Sequence, residues 1–302
     1  MTENVEGEPL GSILGEAEPH PQLFPGLLSL RIAAFTDEVN RQDLPRALSL
    51  LVDWGIGHVE IRSAFGTRFP RQSDAELDEL GRRIRDHGLE VSGVSPGLFK
   101  CDIRASEVDE ALSELLPRSC EWALKWGCDL VSCFAFLRNT TELPARVVDC
   151  LGDMTRVAFA AGCRLVLENE AGCWGNTGTE ATRLVRQVEG LQLCWDPGNA
   201  ARAGAEDLVT EYSGLCDVTE HVHVKNFDSA SNSWSLIDRG VVSWKQQLGL
   251  LAADSYSGFL VIETHTNAPF PNVDAGDGLS TLEANSLHNL HGLRQLLASS
   301  PS

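Results

Sequence analysis

The sequence predicts a single (β/α)8 TIM barrel with a flexible N-terminal arm, and three observations predict it. Eight short apolar runs, rich in branched residues, alternate with eight segments of helical periodicity between residues 31 and 298. Every crossover is long enough for a right-handed parallel unit, and no GxGxxG or GxxxxGK opens a helix, which argues against a doubly wound open sheet. A chain of 302 residues with 43% hydrophobic content fits one large core better than two.

In chain order, residues 1–28 are rich in Gly, Pro and Glu without sustained periodicity and read as a mobile arm, followed by a barrel over 29–302. Leu23, Phe24, Leu27 and Leu28 are the arm's candidates for docking on the body. RIAAFT reads as the first strand, and a helix over 43–54 follows, with Asp43 as N-cap and Gly55 as stop. HVEIR is the second strand. Ser73 and Glu76 form a capping box for a helix whose Leu77, Leu80 and Ile84 recur at helical spacing before Gly88. LEVSGVS is the third strand, and in the helix over 106–126 that follows it, Pro117 predicts a kink or a break. CDLVSCFAF, a helix over 143–161, CRLVLE, the helix GTEATRLVRQVEG and LQLCWD continue the alternation. A short helix over 206–212 leads to VTEHVHVK, a polar loop over 226–242, the helix Trp244–Ala253, the strand GFLVIE and a closing helix Thr281–Ala298.

The formal charge of −19 and pI near 4.7 repel phosphate backbones and anionic bilayers, so neither nucleic acid nor membrane is expected as a partner. Nine scattered cysteines resemble neither a disulfide framework nor paired CxxC motifs, and reduced, buried thiols are expected. The acidic N-terminus lacks a basic start and an apolar core, and no later run approaches membrane-spanning length, so the reading is a soluble, cytoplasmic protein.

The chemistry collects at strand exits, where an α/β barrel carries its active site. CRLVLENE delivers Glu168 and Glu170 into a glycine-rich turn, LQLCWD ends at Asp196, HVHVK ends at His223 and Lys225, and FLVIE ends at Glu263. Alternation puts His221, His223 and Lys225 on one face of their strand, as it does Val261, Glu263 and His265. Taken singly, a strand-end carboxylate is usually a helix cap or a surface ion pair. Three carboxylates crowded in a low-dielectric mouth instead require protonation or a bound cation. With one imidazole they make a hard-to-borderline donor set that suits one divalent ion, Mn2+ first, with Mg2+, Co2+ or Zn2+ as substitutes.

LENE, DPGN, HVHVKN, DRGVVSWKQQL and GFLVIETH, in that order over residues 31–297, resemble the sugar isomerase/epimerase superfamily of xylose-isomerase-like barrels. The resemblance implies that Glu168, Asp196, His223 and Glu263 bind one divalent metal, and that Glu168 and Glu263 also act as catalytic proton-transfer groups on either side of a polyol. The chain departs from the family's common pattern at two places. Glu170 stands where many relatives carry His, and Asn199 stands where many ketose epimerases carry His.

Six residues are candidates for substrate binding: Glu170, Lys225, Glu60, Lys100, Trp174 and His265. Each has a plainer alternative. Glu170 and Lys225 could pair with one another, and Glu60, which shares a strand face with Arg62, could join a structural ion pair. Lys100 could be merely solvated, Trp174 could pack within its loop, and His265 could be a satisfied rim histidine. His221 is expected to lie deeper than His223, and Asp37 and Glu38 either line the pocket or cap the first helix. The expected function is a divalent-metal-dependent sugar isomerase or epimerase working through an enediolate by carboxylate proton transfer. The alternative is a lyase on the same scaffold, a keto-polyol dehydratase or a carbon–glycoside cleaving subunit. A metal-dependent phosphodiesterase and a non-catalytic binding barrel stand further back. The expected partner is a small sugar or polyol, unphosphorylated because no phosphate-cradling glycine loop is evident, and a homo-oligomer is left open.

Overall fold

The apolar runs become eight strands in a computed structural model, which describes residues 30–299 apart from 274, 275 and 277. They are β1 Arg31–Phe35, β2 His58–Ile61, β3 Glu90–Leu98, β4 Leu130–Cys133, β5 Arg164–Glu168, β6 Gln192–Trp195, β7 Thr219–Val224 and β8 Phe259–Ile262. Each pairs in parallel with its sequence neighbours, and β1 closes on β8 through the register Arg31↔Phe259 to Ala34↔Ile262. The result is the closed (β/α)8 barrel that the alternation predicts. The arm over residues 1–28, with its candidate docking residues, lies outside the described residues.

Helix boundaries follow local chemistry. Asp43 accepts a hydrogen bond from the Arg46 backbone N at 3.0 Å and starts the helix Leu44–Asp53. Ser73 and Glu76 exchange the two bonds of a capping box ahead of Asp74–Asp86, which buries Leu77, Leu80 and Ile84. Pro117 has no N–H to offer the preceding turn, and just before it the helix widens into a π-helical turn over Ala111–Leu115 between Glu107–Glu110 and Leu116–Lys125. The helices Trp244–Ala253 and Thr281–Ala298 have the predicted bounds.

Three local differences matter for the site. The residues after β1 form a helical turn, Thr36–Val39, instead of a simple loop. A helix absent from the sequence reading, Pro197–Arg202, follows β6 at once, with Asp196 as N-cap and Pro197 in its first turn. The polar loop over 226–242 contains an antiparallel ribbon, Asn226–Asp228 with Ser233–Ser235, too short for alternation to reveal.

Outward-facing strand residues such as Val59, Leu165, Leu167, Val222 and Leu260 join the main core against helix residues such as Leu48, Leu77 and Leu80. The inner side differs: Glu60, Ser95, Ser132 and His221 are buried there, beneath the strand exits. Ser132 Oγ donates to Ser95 Oγ at 2.9 Å, and Ser95 Oγ donates to Glu60 Oε1 at 2.6 Å. None of the nine cysteines is paired with another in a disulfide, and seven of them are buried. No helix among the described residues is long and apolar enough to cross a membrane.

Candidate metal centre

The parallel barrel brings the exits of β5, β6, β7 and β8 to one rim, and with them Glu168, Asp196, His223 and Glu263. One donor atom from each lies within 4.8 Å of the others, and all four side chains are buried. His223 Nδ1 faces Glu168 Oε1 at 3.3 Å and Glu263 Oε2 at 3.5 Å, yet makes no hydrogen bond. The other ring nitrogen, Nε2, lies 3.3 Å from Glu60 Oε1. With its proton on Nε2, facing Glu60, the ring would present the Nδ1 lone pair to the carboxylates, the arrangement that a metal-binding imidazole requires. Three carboxylate oxygens and this buried, unpartnered nitrogen fit a hard-to-borderline divalent ion.

Neighbours fix each donor. Asn169 spans the gap from β5 to β6: its Nδ2 donates to the Asp196 carbonyl and its Oδ1 accepts from the Asp196 N, both at 2.8 Å. Asp196 Oδ1 caps the next helix by accepting from the Asn199 N at 2.8 Å, so this carboxylate is a helix cap as well as a member of the cluster. Asn199 Nδ2 donates to Glu168 Oε1 at 3.1 Å and to the Asn169 carbonyl at 2.9 Å. Glycine is needed in DPGN because a Cβ on Gly198 would sit 2.8 Å from Lys225 Cγ.

Cations balance the cluster. Lys225 Nζ stands 2.8 Å from both Asp196 Oδ2 and Glu263 Oε2. The Arg62 guanidinium reaches Glu263 Oε1 at 2.8 Å and Asp37 Oδ2 at 3.0 Å, and it pairs with Glu38 as well. Burial works to raise the Glu263 carboxyl, but Lys225, His265, His223 and Arg62 outweigh it and hold the group well below its usual range. Burial likewise opposes ionisation of Glu168, and His223 more than offsets it. For Asp196, burial prevails over Lys225 and pushes the carboxyl up to about 6, with Glu263 and Glu168 adding to the rise. Burial disfavours the charged form of His223, whereas Cys194, Glu168 and Glu60 raise the ring well above its ordinary value. The pocket is therefore organised to hold positive charge.

A cavity of about 460 Å³ opens over the cluster, bordered by Glu168, Glu263, Arg62, His265, Lys100 and Glu170. Of the six candidate substrate residues, Glu170, Lys100 and His265 lie on this wall. Glu170 pairs with Lys100 at 3.0 Å, not with Lys225, whose partners are Asp196 and Glu263. His265 Nδ1 lies 3.3 Å from Glu263 Oε1 and 3.2 Å from Glu38 Oε1. Two expectations need correction. Glu60 is fully buried below the cluster, not at the mouth, because the inward face of β2 at that height meets His221, 2.6 Å away, and His223. Trp174 packs in its own loop with the Arg138 guanidinium 4.6 Å from its ring centre, away from the cavity. The indole beside the site belongs instead to Trp234, carried in by the unforeseen ribbon: its ring centre is 4.7 Å from Lys225 Nζ and 5.3 Å from the His265 ring. Sequence reasoning also missed Asn169. Strand parity points it away from the barrel axis, and only the adjacent LENE and DPGN motifs hint at its bridge.

Solved structures share this architecture at low identity. D-psicose 3-epimerase of Clostridium cellulolyticum H10, solved with D-tagatose, is 16% identical with a TM-score of 0.70, the match covering 89% of this chain and 99% of that one. A xylose isomerase-like barrel protein of Mycobacterium smegmatis in complex with magnesium is 18% identical with a TM-score of 0.67, covering 91% and 99%. A probable 3-DHS dehydratase of Bacillus anthracis, involved in petrobactin synthesis, is 13% identical with a TM-score of 0.67, covering 85% and 97%. No functionally curated protein matches the sequence. The family described as xylose isomerase-like TIM barrel matches residues 48–285, and with the closed barrel and its rim of donors in place, the chain belongs to that family.

Proposed function

We propose that the protein is a divalent-metal-dependent isomerase or epimerase of a sugar or related polyol, with Glu168, Asp196, His223 and Glu263 as ligands and Mn2+ as the ion of first choice. The observation that carries this reading is the convergence of those four donors, within 4.8 Å of one another, under a cavity of about 460 Å³. The bound ion would polarise neighbouring carbonyl and hydroxyl oxygens and acidify the C–H between them. Glu168 and Glu263 come from strands that are not neighbours in the barrel, so their carboxylates approach the cavity from two directions. Both are held ionised, one able to take the carbon-bound proton while the other serves the opposite face. Return of a proton to the same carbon from the opposite face inverts it; return to the adjacent carbon isomerises the sugar. Arg62 and Lys225 fix the Glu263 carboxylate, and Asn199 fixes Glu168.

Likeness to a dehydratase supports a lyase as the second reading, and His265, on the cavity wall 3.3 Å from Glu263 Oε1, is placed to protonate a departing hydroxyl. Both readings are tested by incubating manganese-loaded protein with ketoses, aldoses and inososes in heavy water. Solvent deuterium in a product otherwise unchanged in mass is expected; loss of water or aglycone would select the lyase. Glu168→Gln and Glu263→Gln should each abolish exchange, and full activity in either would remove that carboxylate from the proton path.

A further inference from the structure

Three arginines and one lysine border the cavity: Arg62, Arg68, Arg71 and Lys100. Three already have carboxylate partners. Arg62 serves Asp37, Glu38 and Glu263; Arg71 grips Glu110 at 2.6 and 3.0 Å; Lys100 holds Glu170 at 3.0 Å. Arg68 differs. Its side chain makes no hydrogen bond or ion pair among the described residues, and its Nε is buried without an acceptor. A guanidinium is costly to leave unpaired, because a buried donor without an acceptor forfeits about 1–3 kcal/mol and a charged one more. Burial and the nearby Arg62 charge both push its pKa down.

The fold nevertheless makes specific provision for this arginine. The ribbon Ser63–Ala64 with Thr67–Arg68 turns back after β2 and delivers it to the cavity wall. Opposite, Gly97 at φ +77° leaves the space that the head occupies: a Cβ there would stand 2.9 Å from Arg68 Nη2 and 3.2 Å from Cζ. The carboxylates near it, Asp37, Glu168 and Glu263, favour its charge from a distance, but none forms an ion pair with it. Glu168 and Glu263 belong to the ion-binding cluster and Glu170 to Lys100, while Glu107, the remaining acid on the wall, makes no ion pair with Arg68.

We propose that the substrate is anionic, a sugar or polyol bearing a terminal carboxylate or phosphate, and that Arg68 receives this group while the other end lies over Glu168 and Glu263. The inference rests on the proposed function for the placement of the reacting end and adds the substrate class. Its phosphate form departs from the unphosphorylated substrate that the lack of a glycine-rich phosphate loop suggests, because here a side chain supplies the anion site instead of a loop backbone.

The test is calorimetric titration of manganese-loaded and manganese-free protein with sorbitol, gluconate and sorbitol 6-phosphate. At least one of the two anions is expected to bind 10- to 100-fold more tightly than sorbitol, roughly the worth of a charge-assisted pair. An advantage for gluconate identifies a carboxylate, and one for sorbitol 6-phosphate a phosphate. That advantage over sorbitol should collapse in Arg68→Met and survive in part in Arg68→Lys, which keeps the charge without the fork. Equal binding of all three ligands, or an anion preference that persists in Arg68→Met, would overturn the proposal; the latter would place the anion on the metal if it vanished without manganese, and on another basic side chain of the wall if it did not. Because titration needs no turnover, failure of deuterium exchange alone would remove the reaction class and leave this assignment standing.

Discussion

Glu60 shows how one side chain can serve a site it never faces. Its carboxylate takes His221 on one oxygen, and His223 and Ser95 on the other. Burial works to raise its pKa, and the two imidazoles overcome that and keep it below the ordinary range. The charge therefore orients His223, and Glu60→Gln should weaken manganese binding by roughly 10- to 100-fold, the usual cost of losing such a partner. Calorimetric manganese titration measures it, and a lower melting temperature with unchanged affinity would reduce Glu60 to a packing role. The four candidate ligands were legible in the sequence because each ends an apolar run and strand parity turns it inward. Glu60 was misplaced because parity gives the face of a strand and not the height along the barrel axis. Arg68 was silent for a different reason: a ribbon with two residues per strand has no period to read.

Among elements, legibility follows the strength of the local signal. A capping box, a glycine stop and helical spacing gave the Ser73-capped helix almost to the residue, and the closing helix Thr281–Ala298 has the bounds expected. The short helix Pro197–Arg202 escaped because Asp196 invites reading as a ligand, and its second duty as N-cap is visible only from the bond to Asn199. A paired experiment separates the two kinds of element. Ser73→Ala removes a cap on the outer layer and should cost about 1 kcal/mol, with manganese affinity unaltered. Gly198→Ala forces a methyl against Lys225 Cγ, 2.8 Å away, and should cost about 1–3 kcal/mol while also weakening manganese binding. Denaturant melts of both variants with and without manganese measure this; a Gly198→Ala protein with full affinity would show that the turn tolerates the shift.

For the molecule as a whole, binding and stability are linked through the crowded rim. An ion that binds only the folded barrel should raise its stability by about 2.7 kcal/mol at a free concentration one hundred times its dissociation constant. Melting curves with and without manganese should therefore separate, chelation should reverse the shift, and Asp196→Asn should abolish it. Curves that coincide in the parent protein would deny the rim a metal. Lys225 adds a consequence for how the ion arrives. Its ammonium already lies between Asp196 and Glu263, so stripped protein carries an internal counterion and the carboxylates do not spring apart. An ion would then enter a finished scaffold, and repeated removal and return of it should leave no hysteresis. On the proposed function, the choice among competing ions would accordingly be made after the chain has folded, by whichever one the surroundings supply.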